Sequence, residues 1–464
     1  MPASTFAVHN PADGSVVAEV AGSSAADVDR AVASARTAGP EMARLTEFER
    51  ADLLHAVADL LATRVEPLAA QMTAESGKPI ATETRDEVTE VAEIFRLAAE
   101  ETKRLETHVM PSIERTKRVF THRKPVGVYA LLTPFNFPMN IPAELVAAAL
   151  GGGNTVVLKP SEHTPLSGAA LVDAVIEAGF PEGAISVVQG DGDIGRALVT
   201  HDGVDGIGFV GSNTTAEAIV RSAGLKRTLI EASGNGPQIV LDDADLERAA
   251  GAAVCGATFV AGQCCVATER LLVHRSIHDE FLDALMAAAD APVLGHPLDE
   301  ATTFGPVNNA VVADRMEAHV ADAVGAGGRI LLGGNRRPDL GSPLFWPLTI
   351  IDGVTPAMRA FREETFGPIL PITVFDDDAG AIALANDSDL GLQAAVFTAS
   401  LSRAHRFIDE LRTGTVLINE STNFWEQHPP FGGAGGTRTG WGRIGGKYTI
   451  QDMTDLRTAI IDVR

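Results

Sequence analysis

Cysteine is scarce in this 464-residue chain: only Cys255, Cys264 and Cys265 occur. Three thiols cannot build a disulfide framework, so a reducing, cytoplasmic setting is expected. Basic charge is also short, with 37 Lys and Arg against 61 Asp and Glu, a formal net charge of −24. A surface that acidic repels phosphate backbones and anionic membranes, which argues against nucleic-acid or membrane partners. Long apolar runs are missing too. The longest central stretch without charge or proline, 249–267, is mostly Ala and Gly and is too weakly apolar to cross a bilayer. The first fourteen residues have neither a basic start nor an apolar block, so no signal peptide is expected. No tandem repeat, low-complexity tract or long linker divides the chain.

What is present reads as two α/β units. The first hundred residues follow helical spacing, opening with a Ser24/Asp27 capping box and continuing through 47–76 and 82–105. From 118 the period changes. Strand-like runs at 118–123, 126–132, 155–158, 185–188, 207–210 and 228–230 alternate with helical patterns at 166–178, 194–199 and 215–222. The rhythm restarts at 238–241, 270–274, 330–332, 370–374, 394–397 and 416–418. Such alternation predicts parallel βαβ units and two doubly wound α/β domains joined near 232–240. The tail, 454–463, reads as a last strand whose open edge calls for a partner.

Several short motifs carry chemistry. Gly206-Ile207-Gly208-Phe209-Val210-Gly211 satisfies a dinucleotide glycine pattern literally, but here the glycines lie inside the predicted strand rather than in the turn after it. Only Gly211-Ser212 falls at a strand-to-helix turn, where amides can meet a phosphate. Cys264-Cys265 after Gly262-Gln263 offers a nucleophile, or else a pair of small buried apolar side chains. No other Cys or His lies at metal-ligand spacing. Glu231 ends an apolar run and suits a general base, or a solvated strand end. Asn136, between rings and prolines in Thr133-Pro134-Phe135-Asn136-Phe137-Pro138, suits a rigid oxyanion donor, or a turn. Lys159-Pro160-Ser161-Glu162 and Glu363-Glu364-Thr365-Phe366-Gly367-Pro368 read as ligand loops or as solvated ones.

Taken together and in this order, with Phe209-Val210-Gly211-Ser212 and Pro430-Phe431-Gly432-Gly433, these motifs resemble the aldehyde dehydrogenase superfamily over nearly the whole chain. The resemblance implies a Rossmann-like cofactor domain (1–107 and 127–233, with 436–450 returning), a catalytic domain (234–435) and a small β oligomerisation arm (108–126 and 451–464). It implies oxidation of an aldehyde to a carboxylic acid with Cys265 as nucleophile, Asn136 as oxyanion donor and Glu231 as the base of deacylation. Lys159, Glu162, Gly211, Ser212, Glu364 and Phe366 would hold NAD, with NADP possible. A carboxylate at Glu162 would accept from a ribose 2′-hydroxyl and repel a 2′-phosphate. Phe137, Ile141, Glu144, Trp425 and Phe431 would line the aldehyde tunnel, with no metal and a homodimer or homotetramer as the assembly. Glu144 hints at a hydroxyl- or amine-bearing aldehyde, unless it and Glu426 face solvent. The family's Glu-Leu-Gly-Gly-Lys is Glu231-Ala232-Ser233-Gly234-Asn235 here, a departure that bears on how the nicotinamide seats. Two other readings use the same cysteine: a hydrolase or acyltransferase that needs a histidine, and a CoA-acylating semialdehyde dehydrogenase, whose members usually lack the carboxylate at Glu231.

Overall fold

A computed structural model describes residues 5–464; residues 1–4 of the expected first domain lie outside the described part. Two doubly wound α/β sheets carry the chain. In the first, the strand order is Gly440–Trp441, Arg227–Ala232, Gly206–Gly211, Val128–Leu132, Thr155–Lys159 and Ile185–Val187. All pairs are parallel except that made by Gly440–Trp441 with Arg227–Ala232. The order reverses between Val128–Leu132 and Gly206–Gly211, and ligands bind at the carboxyl ends of strands beside such a switch point. Gly206–Gly211 is indeed a strand, so the literal glycine pattern is a packing feature. A Cβ at Gly206 would stand 2.4 Å from the Tyr129 ring.

The second sheet has seven strands, ordered Arg329–Leu332, Thr349–Asp352, Ile369–Phe375, Thr268–His274, Gly236–Val240, Gln393–Phe397 and Thr415–Ile418. Only its first pair is antiparallel. Residues 233–235 join the end of Arg227–Ala232 to the start of Gly236–Val240. That short link sets the carboxyl edge of the first sheet against the amino edge of the second. A third sheet pairs Thr454–Asp462 with Lys117–Pro125 over nine residues, and Val109–Met110 with the other edge. The terminal strand therefore finds its first partner within the same chain. Among the described residues no helix is long and apolar enough to cross a membrane.

The helical reading of the first hundred residues needs three corrections. A hairpin, Thr5–His9 with Val16–Ala21, precedes the first helix; turn residues Asn10, Asp13 and Gly14 close it, with Gly14 at φ 74°. The pattern at 47–76 breaks into Glu47–Ala62 and Val65–Ser76. Pro67 lacks an N–H and in a continuous helix its ring would clash with the carbonyl of residue 63, which favours the break at 63–64. The third pattern starts as a π-turn, Ile80–Thr84, in which the amides of Glu83 and Thr84 both donate to the Pro79 carbonyl, before Arg85–Thr102. The Ser24/Asp27 capping box is formed as expected.

Candidate active site

One cleft of about 1020 Å³ lies at the switch point, and Asn136, Glu231 and Cys265 all line it. Lys159, Glu162, Gly211, Ser212, Glu364, Phe366 and Ile141 share its wall.

Cys265 stands just before the strand Thr268–His274, at the end of a tightly wound segment. Val260 and Ala261 have φ 52° and Gly262 has φ 71°. Positive φ is costly for a β-branched residue, and such strain persists only where the surroundings over-determine it. Here they do. The Glu83 carboxylate accepts from the Val260 amide at 2.9 Å. Gln263 donates to the Val260 carbonyl at 3.0 Å and accepts from the Asn308 amide at 2.8 Å. A Cβ on Gly262 would meet the Gly367 carbonyl carbon at 2.3 Å, and one on Gly234 would meet the Cys265 carbonyl oxygen at 1.9 Å. The neighbouring Cys264 thiol, burial and the carboxylates of Glu231 and Glu364 together raise the Cys265 thiol well above its ordinary range. Cys255 is exposed and is not among the cleft-lining residues.

Glu231 ends its strand almost fully buried, and its Oε1 has no hydrogen-bond partner. Burial, with smaller contributions from Glu364 and Cys264, pushes this carboxyl up to about 8. A group poised there near neutrality is suited to proton transfer. Asn136 is also buried, with Oδ1 unpartnered. Its loop is braced by Phe135, whose ring makes edge contacts with His163 and Phe366 at 6.0 and 5.9 Å.

The remaining cleft walls come from strand ends. Ser212 caps the helix Asn213–Ser222, accepting from the Thr215 amide, so the positive end of that helix opens toward the cleft. The Lys159 ammonium lies 3.6 Å from the Glu162 carboxylate, which is 43% exposed at the cleft mouth. Glu364 accepts from the Gly234 amide at 2.9 Å, and burial raises it to about 6. Phe366, at φ 58°, is held by its amide donating to buried Glu269 at 2.8 Å. Ser233, at φ 64°, lines the cleft and accepts from the Asn213 amide at 3.2 Å.

The expected tunnel residues divide. Ile141 lines the cleft, whereas Phe137 and Phe431 pack beside Cys265 against Cys264, Val266, Ala267 and Leu392. Trp425 is half-buried and Glu426 exposed. Glu144 does not face solvent: it is buried, Oε1 has no partner, and burial with nearby Glu90 raises it to about 8. Neither Trp425 nor Glu144 is among the residues lining the cleft.

Sequence reading missed Lys78, Glu83, Glu87 and Glu269, charged groups buried under these loops. Gly77-Lys78-Pro79 reads only as a break between helices, and a carboxylate that reaches a distant amide has no local signature. Arg315, another cleft residue, sits in an ordinary amphipathic helix pattern.

The model of the aldehyde dehydrogenase family matches residues 1–459. A 3-sulfolactaldehyde dehydrogenase of Priestia aryabhattai is 36% identical over 451 residues, covering 96% of this chain and 92% of that protein. The crystal structure of an NAD-dependent aldehyde dehydrogenase from Sinorhizobium meliloti superposes with TM-score 0.96 at 36% identity, over 100% of this chain and 93% of that one. That of an E. coli NADP dependent enzyme does so with TM-score 0.96 at 35% identity, over 99% and 95%. With sequence and fold matching over almost the whole chain, the chain belongs to the aldehyde dehydrogenase family.

Proposed function

We propose that Cys265, Asn136 and Glu231 perform the oxidation of an aldehyde to its carboxylic acid by way of a thioester on Cys265. The observation that carries this reading is their meeting in one cleft, with a carboxylate oxygen of Glu231 left without a partner. The Cys265 sulfur, once deprotonated, attacks the carbonyl carbon, and the electron pair moves to the oxygen. The Asn136 amide and the Cys265 backbone N–H hold that oxyanion; one such donor is worth about 10²–10³-fold in rate. NAD(P), when bound, supplies the acceptor for the hydride that leaves the former carbonyl carbon. Glu231 then takes a proton from water, the hydroxide adds to the thioester, and the sulfur departs as the acid is released. A thiol thus divides one hard oxidation into two easier steps, the second with its own base.

The cleft fits a dinucleotide: a capped helix end for the pyrophosphate, Lys159 and Glu162 at the adenosine ribose, Glu364 and Phe366 at the nicotinamide end. Relatives of this fold use NAD or NADP, and Glu162 favours NAD here because a carboxylate repels a 2′-phosphate. Residues 1–107, 127–233 and 436–450 form the cofactor domain, 234–435 the catalytic domain, and 108–126 with 451–464 an arm through which a cytoplasmic homodimer or homotetramer assembles. Phe137, Ile141, Trp425 and Phe431 guide the aldehyde, and Glu144 under that path favours hydroxyl- or amine-bearing substrates. The test is a panel of aliphatic, aromatic, hydroxylated, aminated and carboxylated aldehydes with either cofactor, followed at the NADH band with and without CoA. Free acid with NADH is expected. Acyl-CoA would assign the acylating chemistry instead, and ester cleavage without NADH formation would assign the hydrolase.

A further inference from the structure

Four charged side chains of one short segment, 75–87, are buried beneath the site: Glu75, Lys78, Glu83 and Glu87. Each reaches a different structural part. Glu75 accepts from the amides of Leu166 and Ser167 at the start of a helix flanking the first sheet. Glu83 accepts from the Val260 amide on the nucleophile loop. One oxygen of Glu87 accepts from the Met139 and Asn140 amides, both at 3.0 Å, and so caps the helix Asn140–Gly151, which has no capping side chain of its own. The other oxygen accepts from the Lys78 ammonium at 2.5 Å. Lys78 also donates to the Asn136 carbonyl at 3.2 Å and stands 4.2 Å over the centre of the Phe137 ring. Phe137 in turn lies 5.9 Å from Phe259, next to the strained turn that presents Cys265. An ion pair this deep is a weak source of net stability, since an apolar pair of equal volume serves as well. What the charges add is direction: one ion pair fixes the main chain at 136 and at 139–140, at the expected oxyanion donor and just after it.

We propose that Lys78 is a positioning residue for the oxidation, its ammonium seated between the Glu87 carboxylate and the Asn136 carbonyl so that the Asn136 amide is aimed at the developing oxyanion. This rests on Asn136 being that donor. A carbonyl gripped from below cannot rotate without breaking a charge-assisted hydrogen bond, so the side-chain amide on the same residue keeps its heading. The Gly77-Lys78-Pro79 bend and the π-turn after it bring Lys78 and Glu87 together across nine residues.

The test is a double-mutant cycle on the full-length enzyme, using Lys78→Met/Glu87→Gln, which removes both charges and leaves neither uncompensated. Combined with Asn136→Ala it separates aim from bulk structure. In the wild-type background the charge-free pair is expected to lower kcat about 10–100-fold, the scale of a small misplacement of a catalytic group. In the Asn136→Ala background it should cost at most about threefold more, because the group being aimed is gone. Lys78→Arg should recover part of kcat, and the NAD dissociation constant should stay within about twofold throughout, since the cofactor walls are untouched. A charge-free pair with wild-type kcat overturns the proposal. So does a loss that multiplies fully with that of Asn136→Ala, or one shared equally by NAD binding. An Asn136→Ala enzyme at the wild-type rate overturns instead the assignment of Asn136, and the proposal with it.

Discussion

At the scale of single residues, burial sets the chemistry. Glu231 is raised to about 8 chiefly by desolvation, and the task of base proposed for it requires the ionised form. Where deacylation limits turnover, the steady rate should therefore climb with pH through about 8, and Glu231→Gln should remove that limb and leave only the rise that follows ionisation of the Cys265 thiol, which lies higher. Rapid mixing of this variant is expected to keep a single burst of NADH while the steady rate falls about 10²–10⁴-fold; an unchanged steady rate would take Glu231 out of deacylation. Cys265→Ala should form no NADH yet still quench its fluorescence on cofactor binding. Retained turnover would move the nucleophile to Cys264. Glu144 provides a stability test. Its carboxyl titrates near 4.5 when unfolded and near 8 when folded, so the folded state binds the extra proton. The stabilisation this gives is complete below the unfolded value and is lost as pH rises through 8, a change on the order of 5 kcal/mol. Unfolding temperatures of Glu144→Gln and wild type should accordingly diverge at pH 9, in favour of the variant, compared with pH 6.

At the scale of elements, the site is a meeting of loops whose shapes depend on close approach. Gly234 has no room for a methyl group beside the Cys265 carbonyl. Gly234→Ala should push the nucleophile loop away and lower kcat about 10²-fold, with cofactor binding kept; full activity would show that the two loops are loosely joined. The strands of both sheets were legible from their β-branched runs, because parallel strands buried on both faces must be apolar throughout. Thr349–Asp352 and the two-residue Gly440–Trp441 were not, being short and flanked by turns. The helix break at Pro67 was written in the sequence but hidden by a periodic pattern running across it. The Thr5–His9 hairpin was likewise hidden, by an amphipathic stretch that follows it. The family resemblance pointed to Cys265, Asn136 and Glu231, which meet in the cleft, yet the ion pair under Asn136 stayed silent, since Lys78 contacts residue 136 only after folding.

At the scale of the whole molecule, one edge remains to be explained. The strand Thr454–Asp462 pairs on one side with Lys117–Pro125 and is open on the other, and Leu456, Ile460 and Ile461 are at least half exposed along it. Open apolar edges are liabilities unless covered, which fits an arm that docks on another subunit. Sedimentation should show a dimer or tetramer for the wild type, and Ile460→Asp with Leu456→Asp should shift it toward monomer. A wild-type monomer would remove the arm's assigned role. The net charge of −24 steers anions away from the surface.

The alternation of apolar runs, the turn residues between them and the ordered motifs were enough to name the fold class and the family, and to nominate the residues that meet in the cleft. These are local properties, set by side-chain period, by backbone stiffness and by functional-group chemistry. Which carboxyls lose their water, which amides a buried glutamate reaches, and where an ammonium grips a carbonyl were decided only by tertiary structure. Desolvation and long-range hydrogen bonds depend on what packs nearby in space, and the order of letters along the chain does not contain that distance.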